Sequence, residues 1–217
     1  MKLGHFELDA VSDGFFRLDG GAMFGIVPKV VWEKVTRVDE QNRIFLSLST
    51  LLVRTGKANI LVDKGIGDKN DAKFCEMYAV DHFTSVPKEL AKLGLKPDDI
   101  DFVILSHLHF DHAGGATIRK NGEVVPAFPK ATYIIQRGMW DEAQDPNPRT
   151  KGSYFPDDFV PLQKAGRVKF VEGDEEVVPG VRVHRSGGHV KNHQIAFVES
   201  EGRTALYWAD LLPTTNH

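Results

Sequence analysis

The chain has 217 residues, of which 41% are hydrophobic and 26% are charged, and its formal net charge is −3. These values are ordinary for a globular domain. Acidic and basic residues are mixed along the sequence, so no basic face of the kind that binds nucleic acid is indicated. Because Cys75 is the only cysteine, an internal disulfide is excluded.

No apolar run in the sequence has the length of a signal peptide core or of a membrane span. We therefore expect a cytoplasmic protein with a single domain over residues 1–217. The length is sufficient to bury a large hydrophobic core.

The N-terminal region predicts strands followed by a loop. Residues 3–18 alternate apolar and polar positions, and the dipeptide Asp13-Gly14 predicts a hairpin-type break between two strands. Residues 18–28 are rich in glycine and predict a loop, and residues 29–37 predict a short helix.

The next predicted elements are a hairpin and a helix. Residues 44–54 and 58–62 are apolar runs joined by a turn over 55–57. The segment 69–84 is polar and predicts irregular structure. Residues 86–94 have proline in the first turn, apolar residues at three- and four-residue spacing and a closing glycine, so they predict a helix.

A cluster of metal-binding side chains follows a predicted strand over residues 102–105. His107, His109, Asp111 and His112 lie within six residues of one another, and two glycines follow them. Imidazole and carboxylate donors suit zinc, iron or manganese, and they would be costly to bury without a cation. A single histidine beside a core strand is usually structural, but this constellation predicts a metal site.

The second half of the chain predicts mainly strands. Residues 131–135 form an apolar run, residues 137–144 predict a helix, and residues 145–156 predict a long loop. Five short strands are then predicted over residues 168–171, 176–178, 181–185, 194–199 and 203–208. Strands mixed with a few helices and followed by a β-rich run indicate an α/β (α+β) protein of two packed sheets.

The segment from Ser106 to Gly115 resembles the signature of the metallo-β-lactamase-fold metallohydrolase superfamily, and it is most similar to the lactonase-like branch. The resemblance extends from the region of Asp13 to Asp210. It implies an αββα sandwich, in which two mixed β-sheets are flanked by helices. Because His217 does not match the last ligand of such proteins, we expect a C-terminally truncated chain that lacks the final strand and helix.

The resemblance also implies a site for two zinc ions, with iron or manganese as alternatives. Six ligands are divided between the ions. One ion would be held by His107, His109 and His189, the other by Asp111 and His112, and Asp210 would bridge them. For Asp210, capping of a helix is the alternative role.

Four further residues are expected to act around these ligands. Asp63, in an Asp-x-Gly-x-Gly turn, would accept a hydrogen bond from a ligand imidazole, with a turn-forming role as the alternative. His193 would support the site without binding metal. Met23 and Phe24 lie in the loop that overhangs the metal site in the family, so they are candidates for the substrate pocket. Packing of that loop on the core is the alternative.

The function that the resemblance implies is a zinc-dependent hydrolase that uses a metal-bound hydroxide to open an ester or lactone, with Asp111 also handling protons. The alternatives are a phosphoester or phosphotriester hydrolase on the same dinuclear site, and a metal-binding protein impaired by truncation. An iron-dependent redox protein is disfavoured, because such members tend to carry glutamate where this chain has His109. Leu211-Leu212-Pro213 replaces the tyrosine of some lactonases, which argues against a strict acyl-homoserine lactonase. The expected partner is a small-molecule substrate, not nucleic acid or a membrane, and a homodimer is left open.

Overall fold

A computed structural model describes all 217 residues, Met1–His217. The strands are β1 (Lys2–Leu3), β2 (Phe6–Asp19), β3 (Arg43–Arg54), β4 (Asn59–Val62), β5 (Phe102–Ile104), β6 (Thr117–Lys120), β7 (Glu123–Pro126), β8 (Thr132–Gln136), β9 (Val168–Val171), β10 (Glu175–Val178), β11 (Val181–Arg185), β12 (Gln194–Ser200) and β13 (Arg203–Tyr207). The α-helices are α1 (Gly20–Phe24), α2 (Lys29–Trp32), α3 (Ala72–Met77), α4 (Val86–Lys92), α5 (Phe110–Ala113), α6 (Arg137–Gln144) and α7 (Pro156–Lys164). Short 3₁₀ turns lie at Pro97–Asp99, Gly114–Ala116, Lys151–Ser153 and Ala209–Leu211.

The strands form a large mixed sheet, a small antiparallel sheet and a separate hairpin. The large sheet has the order β1-β2-β3-β4-β5-β8-β9, and the small sheet has the order β10-β11-β12-β13. In the large sheet β4, β5, β8 and β9 are parallel, whereas β1 to β4 are antiparallel. The hairpin consists of β6 and β7. This arrangement confirms the predicted fold class, although the small sheet is antiparallel throughout where a second mixed sheet was expected. The five strands predicted at the end of the chain are confirmed as β9 to β13.

Hydrophobic layers lie on both faces of the large sheet. Between the sheets, Val62 and Ile104 pack in one cluster with Val183 and Ala196 of the small sheet. On the opposite face, buried side chains of α4, α6 and α7, among them Trp140, cover the sheet. Successive strand residues point to opposite faces, so a strand buried on both faces is apolar throughout. The apolar runs in the sequence therefore mark the centre of the sandwich.

The prediction of a hairpin-type break at Asp13-Gly14 is wrong, because β2 continues through this dipeptide. Residues of β2 before and after the dipeptide both pair with β3, and the register of the pairing shifts between Ser12 and Phe15. Gly14 has φ +103°, and the Ser12 hydroxyl accepts a hydrogen bond from its backbone N–H at 3.1 Å. Continuous pairing with β3 therefore makes this dipeptide an irregularity in one strand and not a turn between two.

The predictions of helices and loops need correction at four places. The segment 18–28, predicted to be a loop, contains α1, which begins after Asp19, whose side chain accepts a hydrogen bond from Ala22 N. The helix predicted over 29–37 is restricted to α2, although the one predicted over 86–94 is confirmed as α4. The segment predicted to be irregular contains α3, which begins after Asp71, whose side chain accepts a hydrogen bond from Phe74 N at 2.8 Å. Helix α7 follows the predicted long loop and was not predicted, since Pro161 lies inside it and obscures the helical pattern.

The loops that follow β4, β5, β11 and β13 meet at one edge of the sandwich. Loops beyond the carboxyl ends of parallel strands commonly form binding sites in sheets of this kind. None of the helices has the length and hydrophobicity that a bilayer-spanning segment needs.

Candidate metal centre

The His-rich loop, residues 106–115, follows β5 and is held against the turn after β4. The backbone N–H of Gly115 donates to the carbonyl of Gly65 at 2.9 Å. A Cβ on Gly114 would lie only 2.4 Å from the carbonyl oxygen of Ile66. Glycine therefore allows the two backbone segments to make this close approach.

The imidazole of His107 lies at the centre of a cluster of four. The ring centroid of His107 lies 4.5 Å from that of His109, 4.2 Å from that of His112 and 4.9 Å from that of His189. His107 is fully buried at the centre of the cluster, while the side chain of His189, on the loop between β11 and β12, is partly exposed at its rim. The structure thus places a late loop of the small sheet directly on the His-rich loop of the large sheet.

Two overlapping groups of side chains could each hold a metal ion. The first consists of His107, His109 and His189, and the second of His107, His112 and Asp210. Within each group the potential ligand atoms all lie within 4.8 Å of one another. His107 belongs to both groups, so the two positions are adjacent.

The donor atoms fit a cation better than they fit one another. His107 Nε2 is buried and has no hydrogen-bond partner. His109 Nδ1 and His189 Nε2 lie 3.0 Å apart, so two ring nitrogens face each other. Unpartnered buried nitrogens are costly, and a divalent cation with imidazole and carboxylate ligands would satisfy them. The residues present therefore fit the metal that the resemblance implies.

The predicted carboxylate ligands take different positions in the cluster. Asp210 reaches both sides, with one oxygen 3.1 Å from His112 Nε2 and the other 3.4 Å from His189 Nε2. Asp111 lies 3.5 Å from His112 Nε2 but belongs to neither of the two groups. Asp111 is thus the one predicted ligand whose carboxylate lies outside both groups of potential ligand atoms.

Asp63 lies beneath the cluster and contacts a predicted ligand. Its Oδ2 atom accepts a hydrogen bond from His112 Nδ1 at 2.8 Å, and its Oδ1 atom accepts one from Ser106 N at 2.7 Å. Asp63 adopts φ +61°, an uncommon backbone conformation for a residue other than glycine. The backbone conformation and these donors together direct the carboxylate at His112.

His193 lies behind His107 and belongs to neither group of potential ligands. The two ring centroids are 5.2 Å apart, and His193 is fully buried. Its Nδ1 atom lies 2.8 Å from the Ser186 hydroxyl, while its Nε2 atom has no partner.

Burial keeps most of the imidazoles neutral. It lowers the pKa of His109 to about 3, with the neighbouring His189 adding to the effect. Burial and the imidazoles around it also hold the pKa of His107 well below its usual range, and burial lowers the pKa of His189. Neutral imidazole is the form that binds a metal ion, so these residues are ready to act as ligands near neutral pH.

The acidic side of the cluster shows the opposite effects. Burial raises the pKa of Asp111 to about 6, and the charge of Asp210 adds to this effect while His112 opposes it. Burial would also raise the pKa of Asp210, but the neighbouring His112 outweighs it and holds that pKa below its usual value. Burial would lower the pKa of His112, yet the surrounding carboxylates raise it well above its usual value. Asp210 and His112 thus behave as an ion pair.

A cleft of about 330 Å³ opens beside the carboxylates. Asp111, His112 and Asp210 form its polar side, and most of the other lining residues are apolar, including Met23. The second predicted pocket residue, Phe24, does not line the cleft. It is buried, and its ring stacks on Trp32 at a centroid distance of 5.2 Å.

The profile of the metallo-beta-lactamase superfamily matches residues 44–217. The chain belongs to the metallo-beta-lactamase superfamily. The match includes the His-rich loop, the loop that carries His189, and the turn after β13 that carries Asp210. Every potential ligand therefore lies within the part of the chain that the superfamily shares.

Named relatives in the superfamily include lactonases. An N-acyl homoserine lactonase from Bacillus cereus is 33% identical over 170 residues, which are 74% of this chain and 61% of the relative. A probable metal-dependent hydrolase from Staphylococcus aureus is 35% identical in its crystal structure, which has a TM-score of 0.93 and matches 100% of this chain and 77% of that one. An N-acyl homoserine lactone hydrolase, solved with N-hexanoyl-L-homoserine at its catalytic metal centre, is 28% identical with a TM-score of 0.66, over 93% of this chain and 72% of that one. The chain spans about three fifths of the length of the lactonase from Bacillus cereus.

Sequence reasoning missed one wall of the cleft. Leu46, Leu48 and Ser49 of β3 line it together with Tyr207, whose hydroxyl donates to the carbonyl of Ser49 at 2.7 Å. Nothing in the local pattern of β3 distinguishes these residues from the rest of the strand. These β3 residues become part of a cleft only because β13 lies close to β3 in the folded chain.

Proposed function

We propose that this chain carries a metal-dependent hydrolase site that opens an ester or lactone. The observation that carries the proposal is the pair of overlapping ligand groups that share the buried His107. Membership of the metallo-beta-lactamase superfamily and the lactonase activity of the relatives support the same conclusion.

Each part of the cluster has a proposed role in holding metal. His107, His109 and His189 would hold one ion, and His112 with Asp111 would hold the second, with Asp210 between the two positions. Zinc suits this mixture of imidazole and carboxylate donors. When bound, such ions supply Lewis acidity toward a carbonyl oxygen and lower the pKa of water to about 7.

The chain's own residues would then orient the substrate and move protons. Asp111 faces the cleft, where its carboxylate can accept a proton from the attacking water and return it to the leaving group. Asp210 contacts an imidazole of each ligand group, so it holds the two groups in a fixed relation. The apolar wall of the cleft would hold the organic part of the substrate away from water.

A lactone is the preferred substrate class because the named relatives act on lactones and share one third of their aligned residues with this chain. Three kinds of substrate distinguish a lactonase from other hydrolases of the same fold. Purified protein would be assayed with lactones, aryl esters and aryl phosphates, and its zinc, iron and manganese contents would be measured. Hydrolysis of lactones at a higher kcat/KM than that of aryl phosphates would support the proposal.

A matched pair of histidine substitutions tests the role of the metal centre. His109→Ala removes a ligand, whereas His184→Ala removes a histidine that lies on β11 and contacts Asp174 at 2.7 Å, outside both ligand groups. We expect the first variant to lose bound metal and activity and the second to keep both. If His109→Ala hydrolyses the substrate as fast as the unmodified chain, the metal-dependent proposal is wrong.

A further inference from the structure

Asp63 is a branch point that reaches two histidines of the cluster. Its Oδ2 atom lies 2.8 Å from His112 Nδ1 and also 2.8 Å from the hydroxyl of Ser106. The same hydroxyl lies 3.0 Å from Nδ1 of His107. One carboxylate is thus connected directly to His112 and, through one hydroxyl group, to His107.

The number of protons fixes the direction of these hydrogen bonds. An ionised carboxylate can only accept, and a serine hydroxyl has a single proton to donate. If the Ser106 hydroxyl donates to Asp63, it must accept from His107, so the proton of the neutral His107 ring lies on Nδ1. The lone pair of that ring then lies on Nε2.

The surroundings of His107 Nε2 agree with this assignment. This nitrogen is buried and has no hydrogen-bond partner. A proton on Nε2 would therefore be a buried donor without an acceptor, which costs free energy. With the proton on Nδ1, Nε2 is the one nitrogen of His107 that can bind an ion, in whichever of the two potential ligand groups His107 takes part.

We propose that Ser106 is a positioning residue that fixes the Nδ1–H form of His107 and presents its Nε2 atom to the metal site. Asp63 thereby orients one ligand of each proposed ion, His112 directly and His107 through this hydroxyl. The inference rests on the proposed metal site, but the hydrogen bonds it concerns join side chains of this chain and can be tested without measuring activity. Ser106 acts through His107 and does not itself contact a potential ion.

The structure contains an internal reference for this arrangement. Ser186 lies 2.8 Å from Nδ1 of His193, and the serine hydroxyl can donate to the carbonyl of Gly187 at 3.2 Å. A serine again stands beside Nδ1 of a buried histidine, but here no carboxylate lies behind it. His193 should therefore keep its own tautomer when Ser106 is changed.

The decisive experiment determines which ring nitrogen of His107 carries the proton. Chelator-treated protein with ¹⁵N-labelled histidine would be studied by long-range ¹H–¹⁵N correlation, and each ring would be assigned by single substitution. We expect His107 to show protonated Nδ1 and unprotonated Nε2 in the unmodified chain. A proton on Nε2 in that spectrum overturns the proposal, whatever the variants do.

Two variants test the branched connection. Ser106→Ala keeps the backbone hydrogen bond to Asp63 and removes only the hydroxyl. The tautomer with the proton on Nε2 should therefore appear for His107, while the tautomers of His112 and His193 stay unchanged. Asp63→Asn should alter both His107 and His112, whereas Ser106→Ala should alter His107 alone. If His107 keeps a single Nδ1–H form in Ser106→Ala, the hydroxyl does not set its tautomer and the inference is wrong.

Metal affinity provides a second readout that does not depend on catalysis. In zinc titrations against a competing chelator, Ser106→Ala should bind the tighter ion about 10–100-fold more weakly, the usual effect of removing a hydrogen-bond partner of a ligand. Ser200→Ala, on the surface where Ser200 accepts from His5 N, should bind as the unmodified chain does. Unchanged affinity in Ser106→Ala would contradict the proposal. Absence of hydrolysis in the unmodified chain, with the expected tautomers and zinc affinities, would instead reject the proposed function alone.

Discussion

The ammonium group of Lys69 lies 2.6 Å from the carboxylate of Asp158, and both side chains are almost completely buried. Asp158 lies in the first turn of α7, and the same ammonium group donates to the carbonyl of Gly114. A buried ion pair thus connects a helix on the outside of the sheet to the His-rich loop.

Removing the ammonium group should destabilise the fold. In Lys69→Met the carboxylate of Asp158 loses its partner while it remains buried, and breaking such pairs typically costs about 3–5 kcal/mol of unfolding free energy. Lys69→Met combined with Asp158→Leu should cost less than the single Lys69 change, since no unpaired charge is left. Urea unfolding of the three proteins measures both values. A single variant as stable as the unmodified chain would show that the pair has no structural importance.

The cost of Lys69→Met should depend on pH. Burial raises the pKa of Asp158 to about 6 even though Lys69 opposes the shift. A folded-state pKa above the unfolded value means that the protonated carboxyl is favoured in the fold, so stability is lost as pH rises from about 4 through about 6. Without Lys69 this loss should increase and extend to higher pH. Denaturation at several pH values should show the greatest difference between variant and unmodified chain above pH 6 and a smaller one near pH 4.

A methyl group on Gly114 should separate the His-rich loop from the turn after β4. The added Cβ would lie 2.4 Å from the carbonyl oxygen of Ile66, a backbone atom that cannot rotate away. We expect Gly114→Ala to lose about 1–3 kcal/mol of stability, as overpacked sites do, and to bind zinc more weakly. Gly152→Ala is the control, because no atom lies within 4 Å of its added Cβ. Equal stability of the two variants would contradict the described contact.

Substitution by alanine should affect different properties at Met23 and Phe24, although the two residues are adjacent. Phe24→Ala removes a buried ring that stacks on Trp32, so it should cost about 3 kcal/mol of stability. Met23→Ala removes part of the cleft wall, so it should lower kcat/KM toward an apolar substrate about 10–200-fold with little change in stability. Thermal unfolding and steady-state kinetics on both variants separate the two effects. The opposite pattern would place Phe24 in the substrate pocket.

Removal of metal should lower thermal stability reversibly. Binding to the folded state alone adds about 2.7 kcal/mol when the free ion is present at about 100 times its Kd. A chelator should therefore lower Tm, and zinc should restore it. In His109→Ala the same treatment should shift Tm much less, because one of the three residues of the first ligand group is missing. An equal shift in the variant would indicate that the ion binds elsewhere.

The clustering of donor side chains at the candidate metal centre could be predicted from local sequence. His107, His109, Asp111 and His112 lie within six residues, so their spacing alone brings several donors together at the end of a strand. The alternation and apolar runs of the late strands were likewise sufficient to predict β9 to β13. Such features depend on neighbours along the chain, and the sequence therefore contains them directly.

The tertiary structure decided which side chains meet across the fold. Pairing of β2 with β3 made Asp13-Gly14 an irregularity in a strand, and stacking on Trp32 placed Phe24 in a hydrophobic cluster instead of the cleft. The proton relation between Asp63, Ser106 and His107 joins segments more than forty positions apart, as the contact between Asp63 and Ser106 shows. Hydrogen-bond direction and packing depend on atoms brought together by folding, and no local pattern in the sequence specifies them.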